Sequence, residues 1–220
     1  MPDTVFMMLD VKDRQRPGLL AASHWRGRRA LPVIVASVFV AFAAVAITVG
    51  AIGWSVTLPA ALIFTIGSCV LVGVDLQHRR LPHRIVLPAI AAVLAAQAIG
   101  AWSQRDGGLF VRSLAGAATA GGGLLAVHLV SPEGLGFGDV TYATLIGATL
   151  GWYGLDRVGL GIGLGFVIGA IAAGPVLMLA RRRAELGGST GPATLPFGPA
   201  LAVGAWLALC WGEPIAQWYG

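Results

Sequence analysis

Apolar stretches separated by short polar or Gly/Pro-bearing turns run through this chain from residue 31 to its end. The charge-poor runs are Leu31 to Gly50, Ser55 to Val74, Ile85 to Trp102, Ser113 to Val130, Val140 to Tyr153, Val158 to Ala180 and Phe197 to Trp211. About 18 apolar residues suffice to cross a bilayer as a helix, so the pattern predicts an all-α, polytopic transmembrane helical bundle of about seven spans. Only Ala51-Ile52-Gly53-Trp54 separates the first two runs, and the expected count is six to eight. The fifth and seventh runs are short, which predicts tilted, partial or displaced helices.

Residues 1–30 form the longest polar segment, too short for a core of their own, and are expected to be a basic cytoplasmic tail. Residues 31–220 make up the membrane domain. The first apolar run is longer than a signal-peptide core and lacks an obvious small-residue cleavage site, so it reads as a retained helix.

Composition agrees: 56% of residues are hydrophobic and 11% charged. Of the 15 Lys and Arg, twelve fall in the tail (Lys12, Arg14, Arg16, Arg26, Arg28, Arg29), the second loop (Arg79, Arg80, Arg84) and the sixth (Arg181, Arg182, Arg183). With seven spans and a cytoplasmic N-terminus all twelve are cytoplasmic, leaving Arg105, Arg112 and Arg157 outside, the asymmetry of the positive-inside rule. The net charge of +5 therefore reads as topology and attraction to anionic membrane lipids. It does not read as a nucleic-acid footprint, which needs an aromatic-interleaved basic surface. Cys69 and Cys210 lie singly in apolar runs and read as packing residues.

Two acids sit where a membrane protein least easily keeps them. Asp75 ends an uncharged stretch that begins at Ala30, and Asp139 closes Gly136-Phe137-Gly138-Asp139 before another. Two spans lie between them, so the topology returns the chain to the face it left and lets the carboxylates meet. Such a pair can activate water, one member as general base and the other, protonated, polarising a carbonyl. Close carboxylates do not both ionise easily, so the pair is expected to share a proton. Gly136 and Gly138 remove bulk beside the acid, permit positive φ and give access to a substrate backbone. The competing reading makes Asp139 the N-cap of a helix starting at Val140, and pairs Asp75 with Arg79 or Arg80.

Three segments carry a resemblance. Asp75-Leu76-Gln77-His78-Arg79-Arg80-Leu81-Pro82-His83, Gly134-Leu135-Gly136-Phe137-Gly138-Asp139-Val140 and Leu195-Pro196-Phe197-Gly198-Pro199-Ala200 resemble, in order and spacing, those of the prepilin peptidases, GxGD-type membrane aspartic proteases of prokaryotes. The likeness covers roughly Leu71 to Ala205. It implies cleavage of type IV prepilin-like, pseudopilin or Flp-type pilin precursors at the cytoplasmic face of the inner membrane, between a polar leader and a hydrophobic N-terminal helix. Asp75 and Asp139 would be the catalytic dyad, with Gly136, Gly138 and Pro82 supporting it. Many members carry an N-terminal domain with paired CxxC motifs linked to N-methylation. Nothing here corresponds to it, so the expectation is a peptidase-only form without metal or other cofactor. Thr141 and His83 stand where the family commonly has Lys and Asn or Asp.

Glu133 is the candidate for meeting a positively charged leader, on charge alone. Gly161, Gly165 and Gly169 recur every four residues in the sixth helix, suited to close helix contact. His128 reads as hydrogen-bonded structure near the Gly136 loop, while His78 and His83 lack zinc-protease spacing. Two other classes fit less of the pattern: an altered, non-enzymatic scaffold of the same fold, or a small proton- or cation-coupled transporter.

Overall fold

The computed structural model describes residues 37–78, 83–131, 135–185 and 197–216. The chain divides into two units, Met1–Phe42 and Ala43–Gly220. Of the first, only residues 37–42 are described, and they lie in helix α1. The expected tail over residues 1–30 lies outside the described residues.

Seven helices and no strand occur among the described residues. They are α1 Ser37–Ile52, α2 Leu58–His78, α3 His83–Gln104, α4 Gly107–Val130, α5 Phe137–Gly151, α6 Leu155–Glu185 and α7 Gly198–Ala216. In hydrocarbon every backbone N–H and C=O must be satisfied within the protein, which is why unbroken apolar runs become helices. Leu58–Asp75, Arg84–Gln104, Gly107–Val130 and Leu155–Pro175 are long and apolar enough to cross a membrane. Side chains such as Ile99, Trp102, Leu129 and Ile171 are largely exposed, as on a lipid-facing surface. At 31 residues, α6 is about 46 Å long at 1.5 Å per residue, more than the roughly 30 Å hydrocarbon thickness.

Local chemistry sets the ends. Gly53 stops α1 with φ +66 and donates its N–H to the Val49 carbonyl at 2.9 Å, the left-handed cap that glycine accepts without Cβ strain. Between α3 and α4, Arg105 takes φ +54 and Asp106 accepts from the Gly108 N–H at 2.9 Å. That two-residue turn starts α4 at Gly107, six residues before the apolar run itself begins at Ser113.

The short fifth helix is the centre of the bundle. It packs against α2, α3, α4, α6 and α7, and nearly every residue from Asp139 to Gly151 is buried. Small residues permit this. A Cβ on Gly116 of α4 would strike the Gly147 carbonyl oxygen of α5, and one on Gly147 would strike that of Gly116. On α6, added Cβ atoms would meet Leu150 of α5 and Ala205 of α7 at Gly161, Leu201 of α7 at Gly165, and the ring of Phe197, just before α7, at Gly169. The four-residue glycine spacing thus marks a helix interface, held by close van der Waals contact where lipid supplies no hydrophobic drive.

Polar ties cross this apolar interior. Gln97 of α3 donates from Nε2 to the Ala148 carbonyl of α5 at 3.0 Å, Tyr142 of α5 donates to Ser68 Oγ of α2 at 2.9 Å, and Trp206 of α7 donates to Thr48 Oγ1 of α1 at 3.0 Å.

Candidate active site

Asp75 and Asp139 come together inside the second unit. Asp75 sits in the last turn of α2 and is 5% exposed; Asp139 sits in the first turn of α5 and is 9% exposed. They are close enough for the charge on Asp75 to act on Asp139. The return of the chain to its starting face through α3 and α4 brings this about.

Their surroundings differ. The backbone N–H of Gly198, the first residue of α7, lies against the Asp75 carboxylate, whose Oδ2 is buried without a hydrogen-bond partner. A buried oxygen of that kind has open acceptor capacity, and leaving it unmet costs stability. Asp139 lies ahead of the apolar run that begins at Val140 and outside the four helices long enough to cross. Its carboxyl is pushed up to about 6, first by burial and then by the negative charge of Asp75, with the Gly136 backbone opposing.

The helix carrying Asp139 starts earlier than the capping interpretation requires. Its N-cap is Gly136, without a side-chain cap bond, and Asp139 is the third helical residue. Asp139 is therefore not the N-cap of a helix starting at Val140. Gly136 has φ −69 and ψ 145, so left-handed freedom is not what it contributes. Its position is next to the acid: a Cβ there would stand 3.5 Å from Asp139 Oδ2, in ordinary van der Waals contact. Gly136 is exposed and Gly138 half-buried, so neither residue adds side-chain bulk on either side of the half-exposed Phe137. Thr141 donates its hydroxyl to the Gly138 carbonyl at 2.9 Å, within its own helix.

His128, near the end of α4, has Nδ1 2.7 Å from the Leu135 carbonyl oxygen. A carbonyl only accepts, so Nδ1 carries the proton. The imidazole also tilts against Phe137 at a centroid distance of 5.9 Å. It anchors the loop that leads into Asp139. Pro82, Glu133, Arg79 and Arg80 lie outside the described residues, and so do the side chains of His78 and His83. Gly198 lies in a segment the sequence singled out, but not as a partner of Asp75; the Tyr142–Ser68 bond had no sequence signal.

The model of the type IV leader peptidase family matches residues 62–179, more than half of the chain and inclusive of both acids. A prepilin leader peptidase/N-methyltransferase of Pseudomonas aeruginosa is 34% identical over 165 residues, 73% of this chain and 52% of that protein. Proteins of the same name from Stutzerimonas stutzeri and Aeromonas hydrophila are 31% and 32% identical, covering 76% and 80% of this chain. The chain spans about half the length of these curated relatives. No solved structure matches it.

Proposed function

This chain belongs to the type IV leader peptidase family, and from that premise and the buried acid pair we infer that it is a membrane-embedded aspartic endopeptidase. Its substrates are type IV prepilin-like, pseudopilin or Flp-type pilin precursors, cut between leader and hydrophobic helix. The site of action is the cytoplasmic face of a prokaryotic inner membrane. The observation that carries the reading is the meeting of Asp75 and Asp139 from distant parts of the chain, with Asp75 Oδ2 buried and unpartnered.

In this mechanism a water molecule lies between the carboxyls. The ionised carboxylate takes a proton from the water as its oxygen attacks the scissile carbonyl, while the protonated partner keeps its proton and donates a hydrogen bond to the carbonyl oxygen. The tetrahedral intermediate collapses as the new amine takes up a proton from the pair, which is left with the single proton it began with. Burial keeps one proton on the pair by raising the cost of a second negative charge. The bare backbone at Gly136 lets an extended substrate strand approach. A helical precursor must unwind at the cut to present such a strand.

Co-expression of the full chain with a panel of prepilin-like precursors tests this, with the leader read by mass spectrometry. Wild type releases the leader; Asp75→Asn and Asp139→Asn do not, although both variants are present in the membrane. Cleavage that survives both substitutions would sink the assignment.

A further inference from the structure

We propose that the Tyr142–Ser68 hydrogen bond is a strut that sets the mutual geometry of the two carboxylates, making both residues positioning residues for the reaction. The proposal rests on the peptidase reading above.

The inference comes from how the acids and hydroxyls share helix faces. On α2, Ser68, Leu71 and Asp75 are spaced three and four residues apart and all are buried, which places them on one inward stripe. On α5, Asp139 and Tyr142 are three apart and both buried, again on one face. The hydrogen bond from Tyr142 Oη to Ser68 Oγ therefore joins the acid-bearing faces directly beneath the acids. Along the axes Ser68 lies about 10 Å from Asp75 and Tyr142 about 4.5 Å from Asp139. The long tyrosine side chain spans the difference.

Apolar contact is non-directional. Leu71, Leu145, Ile146 and Ala143 belong to the same buried apolar cluster as Tyr142. The hydroxyl pair adds a directional constraint to that packing. Tyr142 is fully buried and Ser68 is 6% exposed, so breaking their bond strands the Tyr142 donor in an apolar interior, and one relative placement of α2 and α5 is favoured. Polar pairs inside apolar interfaces are best attested in this registry role. Two carboxyls that must share one water need placement to about 0.5 Å. The strut sits one to two turns from them and does not touch substrate.

The test uses the full chain in lipid nanodiscs with a precursor that the wild type cleaves. Tyr142→Phe keeps the ring and deletes the hydroxyl; Ser68→Ala deletes the acceptor; Ser68→Thr keeps it. The expected result is a fall in kcat of about ten- to a hundredfold, the scale of a small misplacement, for Tyr142→Phe and Ser68→Ala, with KM unchanged. The double variant is no worse than either single one, and Ser68→Thr retains wild-type kcat. The infrared carboxyl band of the pair, assigned with Asp75→Asn and Asp139→Asn, shifts in Tyr142→Phe and Ser68→Ala and holds in Ser68→Thr. An unmoved band, additive single effects, or a change confined to KM would each overturn the strut. If the wild type cleaves no precursor, the peptidase reading falls, and the band still decides whether the strut sets the pair's geometry.

Discussion

The backbone N–H of Gly198, which opens α7, lies against the carboxylate of Asp75 near the end of α2. A first-turn N–H has no intrahelical partner of its own, and the positive end of the helix dipole favours the negative group it meets. The Pro-Phe-Gly-Pro segment thereby brings one donor to one acid.

That donor can be deleted alone. Gly198→Pro removes the N–H at a position where helices accept proline, and Gly198→Ala keeps it. Leader release in a pulse-chase assay is expected to slow about tenfold in Gly198→Pro, the kinetic scale of one charge-assisted hydrogen bond. Gly198→Ala keeps the N–H, adds a methyl group at this buried position, and is expected to slow release less than Gly198→Pro. Equal rates in the two variants would show that the amide does not act on Asp75.

Titration of Asp139 should report its neighbour. Its carboxyl stands near 6 through burial and the Asp75 charge, so it stays neutral to a higher pH than an ordinary Asp. Asp75→Asn removes a negative charge that opposes ionisation, so the Asp139 midpoint must move down, stopping short of the ordinary value because burial remains. Infrared titration of the carboxyl stretch reads this directly. On the peptidase reading, kcat/KM of the wild type is expected to fall as pH rises through the Asp139 midpoint and the shared proton is lost. A midpoint unchanged in Asp75→Asn would mean that the two charges do not couple.

Glycine positions separate cleanly into tight and open. Gly147 is pressed against Gly116 and Ala120, whereas a Cβ on Gly122 meets nothing within 4 Å. Gly147→Ala is therefore expected to cost about 1–3 kcal/mol through overpacking. Gly122→Ala is expected to be neutral or to stabilise by up to about 1 kcal/mol through helix propensity. Thermal unfolding in detergent distinguishes the two.

The bundle was readable in the sequence to the extent that one-dimensional signals exist. Seven apolar runs became seven helices because length and lack of charge are local properties, and Gly161, Gly165 and Gly169 marked a contact because their spacing repeats with the helix. Asp75 and Asp139 were visible as charges at the ends of apolar runs. The start of α4 lies outside its apolar run because Asp106 caps it there, and α5 starts ahead of its run because Gly136 is the cap. Ser68 and Tyr142 gave no signal, since a lone hydroxyl in an apolar helix reads the same facing lipid or core. Which face turns inward is decided by neighbours distant in the chain.

Gln97 offers a last case, in which two effects oppose each other. Its Nε2 donates to the Ala148 carbonyl at 3.0 Å and lies 3.5 Å from that of Thr149, while its Oε1 is buried without a partner. Those carbonyls belong to the last turn of α5, where helices leave C=O groups unsatisfied; the side chain from α3 thus caps the central helix. Gln97→Met, similar in volume, removes the stranded oxygen, which favours the variant, but it also strips the cap from a buried helix end. Losing that donor costs about 1–3 kcal/mol and relieving the oxygen returns part of it, so the net expectation is a loss of roughly 1 kcal/mol. Gln97→Glu, if ionised, sets a buried anion against carbonyl oxygens at the negative end of the helix dipole and should cost more than Met. The predicted order of thermal stability in detergent is wild type, then Met, then Glu. A Met variant as stable as wild type would mean that the α5 terminus does not depend on α3 for its donor.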